Sequence, residues 1–301
     1  MIASRPLGRT GLHVSALGYG GAPLGFAPGL SQEEAVDLLH RALDLGITTY
    51  DTAPDYRGSE TILGEAFATR RDRVVLLTKV GRTQTPDEAG GWNVHEDWSE
   101  AGVLQSVERS LRALQTDWLD LVQLHSPPME VLLRGEAQRG LERAREQGKA
   151  LHIGVSADGD EAWWAVLSGF FETLQVSHSV LQQGPAADGL VDAATERGMG
   201  LIAKQPVANG IADLSVRPEH PDWSWKWDAA QRMDLSALGV PGTRTTGALR
   251  WTLADPRIAT AIVGTTNPAH LEANAEAAAE PFGADTYLQL RGAFDRALQQ
   301  Q

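Results

Sequence analysis

Three stretches of this chain, RALDLGITTYD, RAREQGKALHIGVS and ATERGMGLIAK, repeat one arrangement: an amphipathic helical stretch, a glycine (Gly46, Gly148 or Gly198), then a short apolar run. A glycine just past the last helical turn can take the left-handed conformation that closes a helix, so each marks a helix-to-strand junction. Five further apolar runs, VSALGYG, VVLLTK, WLDLVQLH, TLQVSHS and IATAIVG, fill the gaps between helical patterns and bring the predicted strands to eight. Ser31 and Glu34 form a capping-box pair ahead of Ala35, Leu38, Leu39 and Ala42, which recur at helical spacing. Comparable helical stretches begin near Ser99, Gly135, Asp160, Ala186, Arg244 and Pro268.

Eight strands alternating with helices over 301 residues predict an α/β fold, a parallel (β/α)8 TIM barrel in a single domain spanning 1–301. An open doubly wound sheet is the competitor. It would want a G-x-G-x-x-G turn after the first strand, where GYGGAPLG instead runs into proline. The opening RPLGRTGLHVSALG reads as a hairpin turning around Arg9, Thr10 and Gly11. Three long connections, 20–30, 80–98 and 205–243, all follow strands and so belong to the face where such barrels bind substrate.

A net charge of -13 with no dense Lys/Arg cluster argues against nucleic acid and anionic membrane surfaces as partners. The absence of cysteine excludes disulfides, thiolate metal sites and a cysteine nucleophile. With no secretory leader pattern and no run near the ~18 apolar residues that span a bilayer, the expectation is a soluble, cytoplasmic protein. Seven histidines, His13, His40, His95, His152, His178, His220 and His270, show no H-x-H or H-E-x-x-H spacing, so no metal is expected.

The predicted strands end in polar residues: Asp51, Lys79, His125, Ser156 and Lys204. A charge at the mouth of an apolar core is costly unless paired. Asp51, Lys79 and His125, with Tyr56 on an adjacent loop, therefore form a candidate site rather than four stray strand ends.

At these residues the sequence resembles the aldo-keto reductase superfamily, over essentially the whole chain. The family's D-T-A-x-x-Y signature is matched by Asp51 to Tyr56, followed by Ser59-Glu60 and Leu63-Gly64; Lys79 in LLTKVG and His125 in LDLVQLH match its lysine and histidine. The resemblance implies a (β/α)8 oxidoreductase that interconverts an aldehyde or ketone and its alcohol, using NADP(H) more often than NAD(H) and no metal. Tyr56 would be the proton donor, Lys79 would draw its pKa down from ~10, Asp51 would hold Lys79, and His125 would orient the carbonyl. The alternative is a nicotinamide-binding regulatory or interaction subunit with little turnover. A barrel hydrolase is a second rival, and it lacks its metal-ligand pattern here.

For the cofactor, the resemblance implies Ser156 and Gln175 at the nicotinamide amide, with Ala157 where the family usually has asparagine. Lys204 stands where an aromatic or arginine often covers the ring, and its methylenes could take that place. Gly264, Thr265, Thr266, His270 and Asn274, around the helix-opening Asn267-Pro268, resemble the phosphate-binding segment. The Lys or Arg typical of NADP-selective relatives is missing there. NADP(H) is still favoured over NAD(H). His270 has a second reading as a helix-surface residue. Trp92, Trp98, Trp223, Trp225 and Trp227 either pin the long loops or line a pocket for an apolar carbonyl compound; one of Trp163 and Trp164 should pack on the barrel. Arg57, in place of a common glycine, is read as facing solvent, with an acidic substrate group as the other option.

Overall fold

The computed structural model describes residues 1–27, 29–87, 91–240 and 243–298. Small parts of all three long connections, at 28, 88–90 and 241–242, lie outside the described residues.

All eight predicted barrel strands form: Leu17–Gly20, Thr49–Asp51, Val75–Val80, Leu119–His125, Ala150–Ser156, Thr173–Ser177, Gly200–Lys204 and Ile258–Val263. Each pairs in parallel with the next, and the eighth returns to the first, with Val263 opposite Tyr19, so the barrel closes. Closure removes the free edges that an open sheet would carry. Gly46, Gly148 and Gly198 have φ of 91°, 70° and 69°, the left-handed conformation expected of a glycine that ends a helix. The residue after each donates its N–H back to the helix, as Ile47 does to the Ala42 carbonyl at 3.0 Å.

The helix Gln32–Asp44 starts on the expected capping box: Ser31 Oγ accepts from Glu34 N, and Glu34 Oε2 accepts from Ser31 N. It buries Ala35, Leu38, Leu39 and Ala42 against the barrel, the fully buried leucines each contributing ~1.5–3 kcal/mol. Ser99 caps Glu100–Ala113 by accepting from Gly102 N alone. The expected stretches near Gly135, Asp160, Arg244 and Pro268 are also helices, while the one near Ala186 divides into Gly184–Ala187 and Leu190–Glu196. Trp163 and Trp164 both pack, part-buried, against the main core.

The N-terminal hairpin pairs Ser4–Pro6 with His13–Ser15 and plugs the bottom of the barrel. Leu7 and Val14, fully buried, join Leu77, Leu121, Ile202 and Ile262 from the barrel strands.

The long connections are not bare loops. The first carries a short helix, Ala22–Phe26; the second is an antiparallel hairpin, Arg82–Pro86 with Trp92–Glu96; the third holds a 3-10 segment, Ala208–Asp213, and a helix, Pro221–Arg232. WSWKW therefore lies on a helix, where its alternation in sequence does not put its tryptophans on one face. Lys226, Ala229, Ala230 and Met233 form the buried face of that segment and leave Trp223 and Trp225 exposed. Three further helices lacked a sequence expectation: Ser59–Phe67, Met129–Arg134 and Ala284–Leu298. The last buries Tyr287, Leu290, Phe294 and Ala297 in a second core with Trp251.

Candidate functional site

The strand register gathers the predicted residues at one end of the barrel. Gly20 lies opposite Asp51, Lys79 opposite Gln123, His125 opposite Ser156, Ser156 opposite Gln175, and Ser177 opposite Lys204. All of these but Gln123 line a cavity of about 890 Å³. Asp51, Tyr56, Lys79, His125, Ser156, Gln175, Lys204, Gly264, Thr265, His270 and Asn274 all line it. Thr266 does not.

Lys79 is 2% exposed, which only a closely held ammonium tolerates. Its Nζ donates to Asp51 Oδ1 at 2.6 Å and to the Thr52 carbonyl at 3.0 Å. Asp51 Oδ2 accepts from Gln175 Nε2 at 3.1 Å, so both carboxylate oxygens are occupied. Nζ lies 4.9 Å from the centre of the Tyr56 ring, and that ring meets His125 edge to face at 5.7 Å. Burial alone would push the Lys79 pKa down, but Asp51 and Tyr56 overcome it and hold it above the usual lysine value. Lys79 is therefore a fixed cation.

For Tyr56, burial is the largest influence and raises its pKa; Lys79 pulls the other way, and Asp51 adds to the rise. The expectation of a net lowering is thus not met. Lys79 acts in the expected direction, but removing the phenol from water outweighs it. His125 is pushed well below 6.5, first by burial and then by the cations Lys79, Arg82 and Lys204. It stands neutral at physiological pH, with one N–H to donate.

The cofactor expectations meet a mixed geometry. Gln175 Oε1 is buried with no hydrogen-bond partner among the described residues, while its Nε2 is committed to Asp51. A nicotinamide carboxamide could supply that missing donor. Ser156 Oγ accepts from Lys204 Nζ at 3.2 Å, and Lys204 also pairs with Asp158 at 2.9 Å. The lysine's ammonium is therefore tethered on the cavity wall. Asn267 caps the helix Pro268–Ala279, its Oδ1 accepting from Ala269 N at 2.9 Å. Gly264 is pressed so close that an added Cβ would lie 2.6 Å from the Gly20 carbonyl oxygen and from Pro23. The residues present fit a nicotinamide dinucleotide: Gln175 Oε1 wants a donor, and Ser156, Gly264, Thr265, His270 and Asn274 line the same cavity. Among the described residues no group of three or more His, Asp or Glu converges as a metal cage would.

Sequence reasoning missed Asn209, Gly210, Asp213 and Thr245, which also line the cavity. Ala208, Asn209 and Gly210 are consecutively left-handed, with φ of 48°, 56° and 72°. Strain of this kind persists only where the surroundings impose it. Asp213 then caps the helix Arg244–Ala254, accepting from Thr245 N at 2.8 Å and Thr245 Oγ1 at 2.7 Å. The Asn209-Gly210 pair was the available signal, as a turn dipeptide tolerant of positive φ.

Trp92, Trp98 and Trp227 pin loops, while Trp223 and Trp225 stay exposed. None of Trp92, Trp98, Trp223, Trp225 and Trp227 lines the cavity. Trp98 fills the space beside Gly81, where an added Cβ would sit 1.9 Å from its ring, and Trp227 Nε1 donates to the Leu214 carbonyl. Arg57, expected to face solvent, is half-buried at the rim, its guanidinium packed against the rings of Phe26 and Trp92.

Residues 16–294 match the model of the Aldo/keto reductase family. The chain is 30% identical over 293 residues to an L-galactose dehydrogenase of Arabidopsis thaliana, covering 93% of this chain and 89% of that protein. It is also 30% identical over 310 residues to a D-threo-aldose 1-dehydrogenase of a Pseudomonas species, covering 93% and 94%. A solved aldo-keto reductase from Bacillus halodurans, in its holo form, superposes with a TM-score of 0.84 at 27% identity over 97% of this chain and 96% of that one.

Proposed function

Because this chain belongs to the aldo/keto reductase family and is a nicotinamide-dependent oxidoreductase, we propose that it interconverts a small polyhydroxylated carbonyl compound and its alcohol, with Tyr56 exchanging the proton. The observation that carries the mechanism is the buried Lys79–Asp51 pair set against the Tyr56 ring. When bound, the nicotinamide supplies a hydride for reduction and takes one in oxidation. In reduction, Tyr56 Oη gives its proton to the oxygen of the former carbonyl. Lys79 stabilises the phenolate left behind, and Asp51 keeps Lys79 charged and in place. Neutral His125 donates its N–H to the same substrate oxygen and orients it. In oxidation the phenolate of Tyr56 takes the alcohol proton.

Two features support a polar, hydroxyl-bearing substrate. The cavity wall offers Ser126, Asp158 and Ser177 but no tryptophan, and two relatives are named for acting on sugars. NADP(H) is proposed over NAD(H) on the family's usage, with His270 and the first turn of the helix Pro268–Ala279 left to meet the additional phosphate.

The test follows nicotinamide absorbance with NADPH and NADH across aldehydes, ketones and aldoses, using wild type and Tyr56→Phe. The variant should bind cofactor normally and lose turnover. Near-full activity in Tyr56→Phe would remove the proposed acid, and NADH used as well as NADPH would reverse the cofactor assignment.

A further inference from the structure

Arg57 follows Tyr56 directly and holds a φ of 41°, a conformation that costs a residue with a side chain and is free to glycine. Its guanidinium carbon lies 4.6 Å from the centre of the Phe26 ring and 4.5 Å from a ring of Trp92. Its Nε donates to Gln84 Oε1 at 2.9 Å. Phe26 belongs to the connection after the first strand, Arg57 to that after the second, and Gln84 and Trp92 to the hairpin after the third. One planar cation thus joins three separate loops at the rim, packing against two aromatic rings at once.

The two outer partners differ in what they gain. No residue of the hairpin strands Arg82–Pro86 and Trp92–Glu96 is buried, so the hairpin has no core of its own and depends on such anchors. The short helix Ala22–Phe26, by contrast, presses on the tyrosine itself. A Cβ added at Gly25 would lie 1.9 Å from the Tyr56 carbonyl oxygen, and the Phe26 ring meets the Tyr56 ring edge-on at 6.1 Å. The chain of contacts runs Trp92, Arg57, Phe26, Tyr56, His125.

We infer that Arg57 is a positioning residue for Tyr56: held between Phe26 and Trp92, it fixes the loop that presents the phenol to the cavity. The inference rests on the reading of Tyr56 as the proton donor. It explains why a strained arginine stands where glycine would relax the backbone, because strain is retained when the surrounding contacts impose it.

The test compares wild type with Arg57→Gly, Arg57→Lys, Trp92→Leu and the Arg57→Gly/Trp92→Leu pair, on a substrate from the panel above. It measures kcat, KM, cofactor Kd and Tm. Glycine suits the backbone at 57, so Arg57→Gly should keep the wild-type Tm and cofactor Kd while kcat falls roughly ten-fold, the scale expected of a misplaced reacting group. Arg57→Lys should recover part of the loss. The double variant should be no slower than the slower single variant, since both changes open the same clamp. Wild-type kcat in Arg57→Gly alongside an inactive Tyr56→Phe would overturn this inference alone, as would losses that multiply in the double variant. Turnover by Tyr56→Phe would instead remove the reading beneath it.

Discussion

Lys79 Nζ sits 2.6 Å from Asp51 Oδ1 with both side chains nearly sealed from solvent, at 2% and 4% exposure. Neither group would be stable there alone. Removing one partner of a buried pair leaves an uncompensated charge and costs about 3–5 kcal/mol. In Asp51→Asn, Lys79 loses the influence that holds its pKa up against burial, and the new amide must also face the Gln175 Nε2 donor. We expect a lower denaturant midpoint together with a large fall in kcat. An Asp51→Asn protein with unchanged midpoint and rate would show that the pair carries neither stability nor catalysis.

The pH dependence should be unusual for a site containing a histidine. Burial and three neighbouring cations keep His125 neutral until well below pH 6.5, and burial keeps Tyr56 protonated past pH 10. Reduction needs neutral His125 and protonated Tyr56, so kcat/KM for the carbonyl should be level across the neutral range, falling only in acid and in strong alkali. Oxidation needs the phenolate, so its rate should climb with pH throughout. An inflection in the reduction profile between pH 6 and 7 would contradict a neutral, buried His125.

Acid stability should be governed in part by a histidine remote from the chemistry. His178 is fully buried beside Trp251, 3.8 Å from Asp255, with both ring nitrogens unpartnered among the described residues. Burial lowers its pKa to about 4, against a smaller opposing effect of Asp255. Between about 6.5 and about 4 the unfolded chain binds a proton that the folded chain refuses, so stability falls as pH drops through that window, by on the order of 3 kcal/mol. His178→Phe, which cannot titrate, should flatten this limb when Tm is followed from pH 7 to pH 4. An equally steep limb in the variant would assign the acid sensitivity elsewhere.

Legibility in the sequence followed the range of the interactions. Gly46, Gly148 and Gly198 announced their junctions because a helix end is decided by residues a turn apart. Ser31 and Glu34 announced a capping box for the same reason. The hairpin strands Arg82–Pro86 and Trp92–Glu96 went unread because the first has no apolar alternation and the second only Trp92 and Val94, both left exposed. The helix at 221–232 went unread because its buried face is marked by Lys226 and alanines, while two of its three conspicuous tryptophans, Trp223 and Trp225, are exposed.

The chain's local patterns were sufficient for eight strands and the grouping of Asp51, Tyr56, Lys79 and His125, since period, caps and strand ends are written in neighbouring residues; closure into a barrel leaned on the family resemblance as well. They were silent on how burial and charge balance once these groups meet. The net rise in the Tyr56 pKa, the tethering of Lys204 by Asp158 and Ser156, and the packing of Arg57 against Phe26 and Trp92 each depend on residues far apart in sequence. Solvent exclusion and Coulomb interaction depend on distance in space, and only the closed barrel sets those distances.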